Sequence, residues 1–477
     1  MDNFEHGITR GVNGEGSGNS YAPAAINTND TFEVVVDAGM EPRRTEKYLE
    51  RRMEKVPLSM RKCEKTKGYF DPRVISIGPY HHGKEELQNA ERIKPIIAQL
   101  YISNSGRDMD EFRQNILGIV DIARSYYLEG STDEYSDQEF AEMMLLDGLF
   151  SSAYIECMTS GYEDETITEE LIKHLGLLDF EILEIDVLHL IENQLPLQVI
   201  ELLMSLKSNH NNLTEILATY WAERNLSASM KQDMGELDTG ELNREIRELL
   251  DSKRIDCKKL LHYPELFWLQ QNKFSESNHD CETSNVTCMW DSLFSFRSIT
   301  ELKAKGIYVR RSTVYDQRTI KFKPFFFFFG VLELSPVMVV PEFIMIISNQ
   351  IAYEWTPNNP NRQPTMAYVN FMKSLISSAE DVKELRAKNI LFSPCTSDEE
   401  VVRMIDNIPT IVMEDLNIYG TVKQRIQKHY NNKAKTWIAE LIHNYFNSPW
   451  AFITFLAATA VIIMSFLQTY FTINPSK

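Results

Sequence analysis

The chain has 477 residues, 43% of them hydrophobic and 11% aromatic, a composition that builds a large buried core and excludes a disordered chain. Its 49 basic residues stand against 68 acidic ones, and the resulting net charge of −19 repels phosphate backbones and argues against a nucleic-acid binder. Six cysteines (Cys63, Cys157, Cys257, Cys281, Cys288 and Cys395) are too sparse for a secreted disulfide framework and read as reduced thiols. Cys281 and Cys288, with His279 nearby, lie farther apart than zinc ligand pairs favour.

In chain order, residues 1–40 form a polar tail rich in Gly, Asn and Ser, with no apolar stretch of a secretory signal. Gly14, Gly16 and Gly18 lack the flanking strand, helix and Lys of a phosphate-binding loop, so they read as flexible chain. Residues 41–435 then read as a mainly α domain with a small β portion near 306–341. Residues 436–477 are a juxtamembrane segment and a membrane span.

Within the body, VISIGPYHHGKEEL (Val74 to Leu87) is the first stretch with chemical promise. Val74–Ile77 is strand-like, Gly78, Pro79 and Gly83 mark a turn, and a helix should open near Lys84. Adjacent residues diverge in direction, so His81 and His82 do not suit one metal ion; Tyr80, His81 and His82 are expected to hydrogen-bond across the turn. Next, Ser136 and Glu139 have capping-box spacing, and Phe140, Met143 and Met144 form an apolar helical stripe. Asp147 falls on that stripe, where a carboxylate needs a partner or a proton.

EIDVLHLIENQLP follows. Helical spacing aligns Asp186, His189 and Asn193 on one face, opposite Leu183, Val187, Leu190 and Ile191. Glu192 and Asn193 are expected to end this helix before Pro196, where two helical runs between Glu181 and Leu206 meet. Asp186, His189 and Glu192 resemble a carboxylate–histidine ligand set, but a di-iron bundle needs Glu-x-x-His on two helices. The Glu440–His443 pair abuts the membrane span, so a polar packing seam is the preferred reading.

Segments 207–248 and 272–290 are polar and loop-like. GIYVRR, TIKFKP and GVLELSPVMVV carry the β signal. Five consecutive phenylalanines, Phe325 to Phe329, are an aggregation hazard if exposed and read as a buried strand, or else as a surface or membrane-contacting loop. One helix is expected through MAYVNFMKSLISSAEDVKELRAKNIL, with Val369, Met372, Leu375, Ile376, Ala379 and Val382 on its buried face and a stop at Asn389. Ser397 and Glu400 form a second capping-box pair.

Trp450 to Ile473 contains no charged residue, and at ~1.5 Å per residue a helix of this length covers the ~30 Å hydrocarbon core. Trp450 and Tyr470 sit where aromatic rings favour the two interfaces. Lys423, Arg425, Lys428, Lys433 and Lys435 precede the span and Lys477 follows it, a bias that places the body in the cytosol. The sequons at Asn29, Asn212, Asn225 and Asn285 would fit the opposite, extracellular, placement.

VPLSMR, YFDPRVISIGPYHHGKEEL, ERIKP, MMLLDGLF, DVLHLIENQLP, LLHY, FRSITELKAKGI, IAYE, SDEEVVRMI and SPWAFITFLAATAVII together resemble the plant domain-of-unknown-function family 247. The resemblance runs from about Val56 to Tyr470 and implies a plant, membrane-associated protein without established catalysis. Some members of that family are candidate pollen determinants of self-incompatibility in grasses. Its signature covers Gly78, Pro79, Tyr80, His81, His82, Gly83, Asp147, Gly148, Glu192, Asn193, Gln194 and Pro196, all expected to be structural. Leu197 and Gln198 after ENQLP, Trp355 after IAYE, and the phenylalanine run depart from the family pattern.

The sequence thus points to a membrane-anchored recognition or signalling protein that acts by binding a protein partner. No catalytic, cofactor-binding or metal-ligating residue is assigned, no cofactor is implied, and the oligomeric state stays open. The alternative is a membrane-tethered enzyme using Asp147, His189 or the His81–His82 pair.

Overall fold

The computed structural model describes residues 51–103, 105–159, 165–207, 260–272, 297–312, 320–325, 329–357, 363–410, 416–431 and 449–473, with a few single positions between them. The glycine-rich tail, most of the segments 207–248 and 272–290, Cys257, Cys281, Cys288, the Asn residues of the sequons and the Glu440–His443 pair lie outside the described residues. Where the chain is described it is mainly helical with a small sheet.

The first core is built around one long helix. After α1 (Lys94–Ile102) and α2 (Met109–Leu117) comes α3 (Asp137–Thr159), which packs against both. Its start is the capping box read from the sequence: Ser136 Oγ accepts from Glu139 N at 3.3 Å, and Glu139 Oε2 accepts from Ser136 N at 2.9 Å. Phe140, Met144, Leu145, Leu149 and Phe150 are all buried, so α3 is apolar on more than one face. Around it follow α4 (Glu165–Leu175), α5 (Leu177–Leu188), α6 (Leu197–Lys207) and α7 (Tyr263–Asn272). Gly148 lets α6 close on α3: a Cβ there would stand 2.3 Å from Leu203 Cδ1.

The second core holds α8 (Ile299–Ala304) and a three-stranded sheet of β1 (Ile307–Arg311), β2 (Ile320–Phe325) and β3 (Phe329–Leu334). β3 is central, parallel to β1 and antiparallel to β2. Alternation sends Ile307, Val309, Ile320, Phe322, Leu332 and Leu334 into the core. β4 (Val337–Met338), α9 (Pro341–Glu354), α10 (Pro364–Leu375), α11 (Ala379–Ala387), β5 (Leu391–Phe392), α12 (Asp398–Asn407) and α13 (Leu416–Tyr430) complete it. α14 (Pro449–Ile473) matches the charge-free stretch; its window Ile453–Tyr470 has mean hydropathy 1.7 and no buried residue.

Four local expectations are corrected. The helix anticipated from Met366 to Leu391 breaks between Leu375 and Ala379. Asp381 opens the new helix in a capping box with Ser378, accepting from the N–H groups of Ser377 (3.1 Å), Ser378 (3.0 Å) and Thr300 (2.9 Å), which pins the new helix to α8. The stop at Asn389 is as read: its φ is +54°, and Asn389 N and Ile390 N reach back to Arg386 O and Leu385 O in a Schellman arrangement. Secondly, α5 ends at Leu188, so His189 and Asn193 leave the helix and do not share a face with Asp186. Thirdly, Val74–Ile77 pairs with no strand among the described residues.

The phenylalanine run is the fourth correction. Phe325 ends β2 and pairs with Phe329, which opens β3, so the two ends of the run belong to different strands and do not form one buried strand. Phe325 is 54% exposed. Phe326, Phe327 and Phe328 lie outside the described residues.

Candidate functional site: a buried polar framework

Most of the signature residues meet at one place. Arg73 to Gly78 is an irregular segment, buried from Val74 onward, with no strand beside it among the described residues, yet buried backbone groups must find partners. Side chains supply them. Asp186 Oδ2 accepts from Arg73 N (3.0 Å), Val74 N (2.7 Å) and Ile75 N (3.1 Å). Asn193 Oδ1 accepts from Ile77 N (2.8 Å), while its amide donates to Ile75 O (3.0 Å) and Asp186 O (2.9 Å). Asp147 Oδ2 accepts from Gly78 N (2.8 Å), and Lys94 Nζ donates to Ser76 O (2.7 Å).

Asp147 does have the partner its burial requires. Lys94 Nζ lies 2.6 Å from Asp147 Oδ1 and 2.6 Å from Glu91 Oε1, and both Lys94 and Asp147 are 1% exposed. Burial pushes the Asp147 carboxyl above the usual carboxylate range; Lys94 and the Gly78 N–H oppose that. Burial likewise pushes Asp186 up to about 6, against the pull of its three backbone donors. His189 caps the end of α5, packs edge-on against Phe267 at 4.9 Å, and is pushed down to about 3 by burial.

A second group lies beside the first. Glu192 Oε1 accepts from Val56 N (2.6 Å) and its Oε2 from Arg61 (2.6 Å). Arg61 also holds Asp71 at 3.0 Å, and Lys84 lies 3.4 Å from the same Asp71 oxygen. The buried His81 ring sits between the two acids, 3.6 Å from Glu192 and 3.9 Å from Asp71, too far for a hydrogen bond. Burial raises Glu192, but His81, Arg61 and the Val56 N–H together bring its carboxyl below the ordinary range.

The turn residues around these groups divide. Gly78 has φ +75°, and a Cβ would meet Gln194 O at 2.5 Å. That oxygen accepts from Tyr127 Oη at 3.0 Å, and Gln194 Nε2 donates to Val187 O. Tyr80 Oη donates to Met53 O at 2.7 Å and accepts from Leu128 N, whereas exposed His82 rests edge-on against Tyr135. Buried Pro79 presents its carbonyl to Tyr135 Oη at 3.4 Å. Gly83 has φ +79° in open space. Pro196 is buried just before α6. Of the expected cross-turn bonds, only those of Tyr80 form.

Sequence reasoning missed Lys94, Glu91 and Ser76. A signal was available: Lys94 is a lone charge in the apolar run Ile93–Ile97. It also missed Glu354, the end of IAYE, which accepts from Trp268 Nε1 (2.8 Å), Thr365 N (2.6 Å) and Met366 N (3.0 Å), capping α10 and tying it to α7. Among the described residues no group of three or more His, Cys, Asp and Glu side chains could hold a metal ion.

The chain is therefore a mainly helical protein whose motif residues are bound into a buried framework, followed by one apolar helix long enough to cross a membrane. A family model described as a plant protein of unknown function matches residues 53–464. The chain belongs to this family, domain-of-unknown-function family 247. It is 24% identical over 424 residues to a UPF0481 protein of Arabidopsis thaliana, covering 84% of this chain and 82% of the relative. A putative UPF0481 protein of the same plant is 26% identical over 126 residues, 26% of this chain and 24% of that one. No solved structure matches.

Proposed function

We propose that this protein is a membrane-anchored binding protein. α14 holds the body at a bilayer, and the body engages a protein partner without chemistry of its own. The observation that carries the reading is α14: uncharged, apolar, and without a buried side chain from Ile453 to Tyr470. In water such a surface is costly; in hydrocarbon it is at home. The polar signature supports the binding half, since Asp147, Asp186, Glu192 and Asn193 each bond to backbone or to a fixed ion-pair partner. The basic flank from Lys423 to Lys435 favours a cytosolic body.

Alkaline carbonate washing of membranes from expressing cells tests the anchor. The full chain should stay in the pellet and a chain ending before Pro449 should not; full release of the intact chain would overturn the anchor. Metal analysis tests the absence of chemistry. Stoichiometric zinc or iron that disappears in His81→Ala/His82→Ala protein would favour a tethered enzyme instead. A narrower role in pollen self-recognition follows from the family resemblance. It predicts pollen-restricted transcripts and allelic differences gathered on exposed body positions; even expression in leaf and root would sink it.

A further inference from the structure

We propose that His81 is a proton-operated latch between the two hydrophobic cores: when its ring takes a second proton, both nitrogens become donors and close on Glu192 and Asp71. The fold sets the parts in place. Val56, Met60 and Phe70 belong to the second core, whereas Val74, Ile75 and Ile77 belong to the first, and Tyr80 packs against it. Val56 to Asp71 is thus a strap laid on the second core, and the turn carrying His81 rests on the first. The polar edge of the strap is held at Glu192, which accepts from Val56 N and Arg61, and Arg61 in turn holds Asp71. The His81 ring lies where strap and turn meet. It is 3% exposed, and neither ring nitrogen has a hydrogen-bond partner. Nε2 is 3.6 Å from Glu192 Oε2, and Nδ1 is 3.9 Å from Asp71 Oδ1.

Both neighbours of the ring are acceptors only. Burial raises the Asp71 carboxyl, but Arg61, Lys84 and His81 bring it below the ordinary range, and Glu192 is held low in a similar way. A neutral imidazole has one N–H and one lone pair, so it can donate to one acid and must turn the lone pair toward the other. An imidazolium donates from both nitrogens, and such charge-assisted bonds close to about 2.8 Å. Glu192 is pinned by Val56 N and Arg61, so the movement falls to the ring and to the Asp71 side chain, which is 40% exposed. Arg61 from the strap and Lys84 from the turn already balance the two acids. The proton on His81 is therefore held by its two hydrogen bonds and not by excess negative charge. That makes closure weak and reversible, as a switch in the histidine range requires.

The test is amide deuterium uptake of the full chain in detergent micelles, at about pH 5.5 and about pH 8, either side of the histidine range, with labelling times scaled for intrinsic exchange. A peptide spanning Met53 to Arg61 contains the Val56 amide and reads the strap; a peptide from α3 reads global opening. Relative to the α3 peptide, the strap should exchange severalfold more slowly at the lower pH. His81→Gln should abolish that pH dependence. Asp71→Ala, a change at a part-exposed side chain, should remove most of it, and decides the outcome alone if His81→Gln does not fold. Protection lost equally at both pH values in these variants marks a purely structural ring and overturns the latch. So does a strap equally protected at both pH values in the unaltered chain, or a pH dependence that survives both substitutions.

Discussion

Gly78 and Gly83 look alike in the sequence and differ in what they must do. Both have positive φ, but only Gly78 faces a backbone oxygen, Gln194 O, at 2.5 Å from a would-be Cβ. Gly83→Ala should cost about 1 kcal/mol from backbone strain, and Gly78→Ala about 3 kcal/mol or more, because strain and overpacking add there. Urea denaturation of the two variants reads the difference directly. Lys94 and Asp147 make a similar contrast between a single change and a paired one. Lys94→Met leaves a buried carboxylate without its cation and should cost about 3–5 kcal/mol. Adding Asp147→Asn removes the stranded charge and keeps an acceptor for Gly78 N. The double variant should therefore be more stable than the single losses sum to, by about 2 kcal/mol in a double-mutant cycle.

Among the elements, the β2–β3 pair and the α10–α11 break show where local pattern reading succeeds and where it stops. Period-2 alternation placed all three strands, because Phe322 and Leu332 face the core whichever strand is the neighbour. It could not place the phenylalanine run, since five identical apolar residues have no period to read. Phe322→Ala should cost about 3 kcal/mol, whereas Phe325→Ser should shift stability by no more than about 0.5 kcal/mol, measured by chemical denaturation. The helical period in Val369–Val382 continues across the break because Leu375 and Val382 are buried on either side of it. What starts a new helix at Ala379 is the Ser378–Asp381 capping box, whose carboxylate also gathers N–H groups from Ser377 and Thr300. Thr300 is far away in the chain, so no window of sequence could reveal that partner. Asp381→Ala should cost about 1–2 kcal/mol and lower the melting temperature, since it removes the capping box of α11 and its tie to Thr300.

For the molecule as a whole, buried histidines should set its tolerance of acid. His189 is pushed down to about 3 and His262 to about 4 by burial, from an ordinary value of 6.5. The unfolded chain then takes up protons below pH 6.5 that the folded chain refuses, so stability falls as pH drops from there toward 4. Each histidine contributes about 2 kcal/mol of loss between pH 6.5 and 5, at ~1.4 kcal/mol per pH unit. Asp186 works the other way. Its raised value, about 6, favours the folded state as pH falls from 6 to 4 and offsets part of the loss. Denaturation midpoints at pH 7 and pH 5 should show a net loss, and His189→Gln should shrink it.

Composition, helical and strand periods, and one uncharged apolar stretch were enough to read a mainly helical body, a small sheet and a C-terminal helix long enough to span a membrane. These are local properties: each depends on residues within a turn or two of one another, or on transfer from water alone. The assignment of Asp186, His189 and Asn193 to one helix face failed because α5 ends at Leu188 and Asn193 in the turn that follows bonds to Ile75 and Ile77, more than a hundred positions earlier. Which polar residue meets which backbone group, and which of two glycines is irreplaceable, were decided only by tertiary structure. A buried N–H or carboxylate takes whatever partner packing brings within 3 Å, and distance along the chain does not encode that meeting.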